Sequence, residues 1–172
     1  MGQFSAHAAA LDGAGPVPRV RRKERPMGVA ALISWFVTAF VGLYLLAVWL
    51  IENDVTQQGA ARSRLPGPVI LGHVLLALTG LVFWVIHLLF GAASWGWVAV
   101  GVLVGIATLG VTMFTRWIPV HAAYVAAESA QGMSAEFDFP AERAFPLSVV
   151  IIHGVLAVTT VTLVVLAMLG VG

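Results

Sequence analysis

The chain has 172 residues, 60% of them hydrophobic and only 10% charged, with a formal net charge of +1 and a mean hydropathy of +0.96. That balance excludes an ordinary soluble domain and points to an integral membrane protein. The absence of cysteine excludes disulfides, iron–sulfur clusters and thiolate ligands, so any cofactor chemistry must use nitrogen, oxygen or thioether donors.

Residues 1–26 are a polar tail, expected to be poorly ordered up to the first apolar run. The tail does not read as a cleavable signal, because the apolar run starts late, is too long and lacks a small-residue cleavage site. Arg19, Arg21, Arg22, Lys23 and Arg25 abut that run, and the positive-inside rule then puts the N-terminus in the cytoplasm. Such a run reads as a topology signal rather than a nucleic-acid site, so no nucleic-acid partner is expected.

Residues 27–172 form a second region with four apolar runs, at about 28–51, 67–91, 95–117 and 146–170. Each exceeds the roughly 20 residues that cross a hydrocarbon layer as helix. The expected fold is all-α, an up-down bundle of four transmembrane helices with both termini cytoplasmic. The helix 2–3 connection is the short "GAAS" hairpin, and the two outer loops, about 52–66 and 118–145, carry Glu52, Asp54, Glu128, Glu136, Asp138 and Glu142. Trp35, Trp49, Trp84, Trp95, Trp97 and Trp117 mostly fall near predicted span ends, where an interfacial belt would place them. The threonines within the spans read as packing residues whose hydroxyls bond back to the preceding turn.

An internal repeat singles out two histidines. "PGPVILGHVLLALTG" (66–80) lies over "PLSVVIIHGVLAVTT" (146–160) without a gap, aligning Pro66 with Pro146, His73 with His153, Ala77 with Ala157 and Thr79 with Thr159. Proline suits the first turn of a helix, so both helices start at equivalent points and carry their histidine about two turns deeper, in the outer leaflet. Ala77 and Ala157 lie one turn further along the same face and leave room beside each ring. Intramembrane imidazoles face a partner in the bundle interior, and two at one depth invite a shared one. Haem b, taking two neutral imidazoles as axial ligands, answers that description.

His87 stands fourteen residues after His73, nearly four helical turns, and so returns to the same face. Gly80 lies midway on that stripe, where it admits a close helix or a flat ligand. Gly28 and Gly42 on helix 1, and Gly96 and Gly110 on helix 3, are also fourteen apart. Histidines fourteen apart on helix 2, a partner on helix 4 and these glycine pairs resemble the four-helix dihaem module of respiratory cytochrome b. The resemblance implies electron transfer, with a quinone and other membrane subunits as partners. The chain departs from it at Ala167, where the mate of His87 should stand, with Met168 beside it as a thioether, so a second haem lacks its full ligand set. One histidine each on helices 2 and 4 also resembles half of a haem A synthase, without the glutamate that family places before its helix 2 histidine. The alanine- and valine-rich style is similar to that of small four-span membrane proteins of high-G+C bacteria, which implies a bacterial plasma membrane.

At the outer rim, Arg116 can pair with a haem propionate or snorkel to headgroups. His121 suggests a three-histidine zinc or copper site with His73 and His153, provided that the chain folds back beyond Pro119. No nucleophile and base pair, phosphate loop or dinucleotide fingerprint is present. The residues therefore leave two main readings: a haem protein for electron transfer, or a non-catalytic structural or assembly subunit of a larger complex or homo-oligomer, whose histidines bond backbone groups.

Overall fold

The computed structural model of the protein describes residues 25–52, 63–129 and 141–171. The N-terminal tail with Arg19 to Lys23, together with Asp54, Glu136 and Asp138, lies outside the described residues. Four helices follow in order: α1 (Arg25–Glu52), α2 (Gly67–Phe90), α3 (Ala93–Ser129) and α4 (Leu147–Met168), with a 3-10 turn at Ala141–Ala144 before α4. All four are long and apolar enough to cross a membrane, and this is a multi-pass membrane protein with an all-α four-helix bundle.

Pro66 and Pro146 take matching extended conformations, with φ −63° at both, just before the first turns of α2 and α4. The α2–α3 hairpin closes at Gly91, whose φ of 70° is left-handed; its N–H bonds the His87 carbonyl at 2.8 Å. A residue with a Cβ is strained there, which is why glycine ends the helix.

The two halves of the bundle, α1–α2 and α3–α4, share a repeated pattern. Gly28, Ala31, Gly42 and Trp49 of α1 recur at one constant interval as Gly96, Ala99, Gly110 and Trp117 of α3. The close pairs are α2 with α3 and α1 with α4, while the α1–α2 and α3–α4 seams are sparser. Exchanging the two halves maps each close pair onto the other, as a two-fold axis along the bundle would.

The central core follows the same rule. Ala31, Trp35, Trp84, Ala99, Leu103 and Val164 pack together, and they are three related pairs: Ala31 with Ala99, Trp35 with Leu103, Trp84 with Val164. Where the first half uses tryptophan, the second uses a smaller aliphatic side chain. Gly80 accommodates that difference, since a Cβ there would meet the Trp35 ring at 2.9 Å and Val102 at 3.1 Å. On the lipid side a groove of about 470 Å³ lies between α3 and α4, walled by Val104, Ala107, Thr108, Val111, Val161 and Val165.

Two features differ from the sequence expectation. Helix α3 does not stop near residue 117 but continues through Pro119 to Ser129. Proline removes one intrahelical bond without reversing the chain, and the alanine-rich "HAAYVAAES" beyond it favours helix. Secondly, Trp35, Trp49, Trp84 and Trp117 are buried and only Trp95 and Trp97 are exposed. Four of the six indoles thus fill the bundle rather than an interfacial belt. The threonines behave as expected: Thr79, Thr108, Thr112, Thr159 and Thr162 each donate to the carbonyl four residues back.

Because the Trp35 ring is rigid and enclosed, Gly80→Ala is expected to destabilise the bundle by about 1–3 kcal/mol through overpacking. Gly101→Ala, where an added Cβ meets nothing within 4 Å, is expected to be neutral or slightly stabilising. Unfolding of the two variants in detergent, side by side, measures the contrast.

Candidate functional site

His73 and His153 are brought together between α2 and α4, with ring centroids 6.4 Å apart and planes inclined at 60°. Both rings rest on a glycine of a neighbouring helix. A Cβ at Gly110 would lie 3.4 Å from the His73 Cε1, and one at Gly42 would lie 3.0 Å from the His153 Cε1. The two-fold relation carries one contact onto the other, so the same ring edge faces a glycine in each half.

A backbone partner explains how an imidazole is tolerated in hydrocarbon. The ring of His73, lying against Gly110, reaches the backbone one turn before it, and Nδ1 lies 3.1 Å from the Ile106 carbonyl. A carbonyl can only accept, so Nδ1 carries the proton and donates, and Nε2 keeps its lone pair. In the other half Thr38 stands where Ile106 does. Its backbone approaches His153, but Nδ1 is buried without a hydrogen bond of ordinary geometry.

On the hairpin side of the pair a hydroxyl cluster joins α1 to α4. Thr38 Oγ1 donates to the Ser34 carbonyl at 2.8 Å and Thr160 Oγ1 to the Leu156 carbonyl at 2.9 Å. With those protons committed, the Ser34 hydroxyl donates to Thr160 Oγ1 at 2.8 Å, and Thr38 Oγ1 lies 3.0 Å from the same oxygen. The related positions in the other half are Val102, Ile106 and Gly80, which have no side-chain hydroxyl.

On the opposite side, one turn beyond the pair, Leu46, Ile70 and Met113 pack with Trp49, Leu65, Ala141 and Phe145. Above this apolar layer sits a polar cap. Glu142 is fully buried; its carboxylate accepts from the Arg64 N–H at 2.6 Å and from the Ser63 hydroxyl at 2.8 Å. Trp49 Nε1 donates to Ser63 Oγ at 3.0 Å and Trp117 Nε1 to the Glu142 carbonyl at 3.1 Å. The related indoles Trp49 and Trp117 therefore tie down the chain before α2 and before α4 respectively.

The remaining predicted site residues are placed as follows. Ala77 and Ala157 are half-buried, one turn inward of the histidines. Gly80 is covered by Trp35. Arg116 is exposed, and its Nη1 donates to the Arg64 carbonyl at 3.4 Å. His87 lies at the hairpin end, its Nδ1 3.0 Å from the Ala92 carbonyl and its ring 5.1 Å from Trp84. Over Gly96 it shares space with Met168: an added Cβ would lie 3.1 Å from His87 Nδ1, and the Met168 sulfur is closer still. Met168 is the repeat mate of Leu88, which covers Gly28 in the same way, so its packing role is symmetric.

His121 stacks on Trp117 at 4.8 Å within the extended α3, and the chain does not fold back there. Among the described residues, no group of three or more His, Asp or Glu side chains gathers as a three-histidine metal site would require. Sequence reasoning missed the role of Glu142, whose partners lie 78 and 79 positions away. The only signal for it was the register of Leu65-Pro66 with Phe145-Pro146.

Two imidazoles with centroids 6.4 Å apart are at the spacing that two ligands of one metal atom take. An imidazole–metal bond of about 2 Å on each side sets ring centroids about 6 Å apart. Comparison with protein-family models finds no match, and comparisons with curated proteins and with solved structures find none either.

Removing the Glu142 carboxylate takes from the Arg64 N–H its charged acceptor, a hydrogen bond worth about 1.5–3 kcal/mol. Glu142→Ala is therefore expected to raise amide exchange at Arg64 and Leu65 by tenfold or more, while amides at the centre of α2 stay protected. Hydrogen exchange read by mass spectrometry checks it.

Proposed function

We propose that this chain is a b-type haem protein of a bacterial plasma membrane, with its basic tail in the cytoplasm and its haem near the outer leaflet, held by His73 and His153. The observation that carries the reading is the pair itself: two repeat-related imidazoles at one depth, 6.4 Å apart, each lying against a glycine.

Bound haem supplies a one-electron couple. The chain's own residues do the rest. The Ile106 carbonyl fixes the tautomer and orientation of His73 and raises the basicity of Nε2. Gly42 and Gly110 let the rings lie close to α1 and α3. The layer of Leu46, Ile70 and Met113 separates the pair from the polar cap, and Arg116 and Arg64 place cationic side chains at the rim, where propionates can be met. Electrons would then pass between a lipid-phase donor such as a quinol and another membrane subunit.

A structural or assembly role is the second reading, and the His87–Ala92 contact favours it, because that histidine ties down a hairpin through a backbone carbonyl. The two readings are separated by a spectrum. Purified protein, as isolated or after haem addition, is expected to show a Soret band and a pyridine haemochrome of type b at one haem per chain. Gly110→Leu, which drives a side chain into the His73 ring, is expected to lower haem content at least about tenfold while the protein remains in the membrane. Protein that shows no Soret band after reconstitution, yet co-purifies with other subunits, would decide for the structural role.

A further inference from the structure

The two halves of the site differ in one respect that the repeat makes plain. Ile106 and Thr38 occupy equivalent positions, each four residues before the glycine that receives a ring. The Ile106 carbonyl takes the Nδ1–H of His73 at 3.1 Å, whereas the Thr38 backbone approaches His153 without forming a bond of ordinary geometry. His73 is thereby held in the tautomer that leaves Nε2 free to bind a metal. His153 has only the poorer approach of the Thr38 backbone to choose its tautomer and fix its ring, and an imidazole oriented by a well-formed outer hydrogen bond is the stronger ligand.

The surroundings differ in the same direction. On the side of His153 the α1–α4 contact carries Ser34, Thr38 and Thr160, whose hydroxyl oxygens retain acceptor lone pairs. On the side of His73 the equivalent positions are Val102, Ile106 and Gly80. A His73 ring that swings away from the centre gives up its one hydrogen bond.

We infer that the pair is functionally unequal: His73 is the permanent ligand and His153 the displaceable one, so that the reduced site takes up a small neutral diatomic molecule in place of His153. This rests on the haem reading above. In the exchange the bond from His153 Nε2 to iron breaks and one from the diatomic's donor atom forms; no electron or proton is transferred. A site built this way senses or binds such a molecule in addition to passing electrons.

The test uses the full-length, haem-loaded protein reduced with dithionite and exposed to carbon monoxide. The native protein is expected to show a shifted Soret band at saturating carbon monoxide. His153→Ala is expected to keep its haem and to bind carbon monoxide at least about tenfold more tightly than the native protein, because no internal ligand competes. His73→Ala is expected to retain haem at least about tenfold less well than His153→Ala. A native spectrum unchanged by carbon monoxide, or equal haem loss in the two variants, overturns the inference while leaving the haem reading standing. Native protein without haem after reconstitution overturns both. The native-protein measurement decides even where a variant does not assemble.

Discussion

The bond from His73 Nδ1 to the Ile106 carbonyl orients the ring that lies against Gly110, and the arrangement of the site depends on that bond. In hydrocarbon an imidazole must satisfy its N–H within the protein. Backbone carbonyls of a helix are already engaged in the helical ladder, but each has a second lone pair. The His73 ring, lying against Gly110, is close enough to use it. Once Nδ1 is committed to α3, Nε2 is the nitrogen left with a lone pair, and the second histidine stands across from it.

The repeat supplies that second histidine at the same depth. Because α1 packs on α4 and α3 on α2, each glycine serves a histidine of the other repeat: Gly42 serves His153, and Gly110 serves His73. Neither repeat can build the site alone. The same exchange puts Trp49 and Trp117 at equivalent places under the cap, where they donate to Ser63 and to the Glu142 carbonyl. Where the halves diverge, the differences are local: Trp35 in place of Leu103 in the core, and hydroxyls on the α1–α4 side but not at the equivalent positions of the α2–α3 side.

Much of this was legible in the sequence, for physical reasons. Hydrocarbon demands long uninterrupted apolar helices, so composition alone marks the four spans. Pro66 and Pro146 start α2 and α4 at equivalent points, so the depths of His73 and His153 follow by counting residues. The kinship of α1 and α3 was harder to see, since it survives at only a few positions and compensating substitutions such as Trp35 for Leu103 erase the rest. Pro119 read as a stop because proline breaks helices in water more readily than in a helix flanked by alanines. The burial of Glu142 rests on contacts between two segments distant in sequence, and no local pattern encodes them. Trp49 and Trp117 sit near span ends, where burial under a cap and exposure to an interface share one signature.

The central claim is that His73 and His153 converge on one metal centre. Electron–nuclear double resonance on the oxidised, haem-loaded protein carrying isotope-labelled histidine tests this most directly. The account predicts a single low-spin ferric centre coupled to nitrogens of two histidines, with one coupling lost in His153→Ala. A ferric centre coupled to only one histidine in the native protein, or couplings unchanged in that variant, would contradict it.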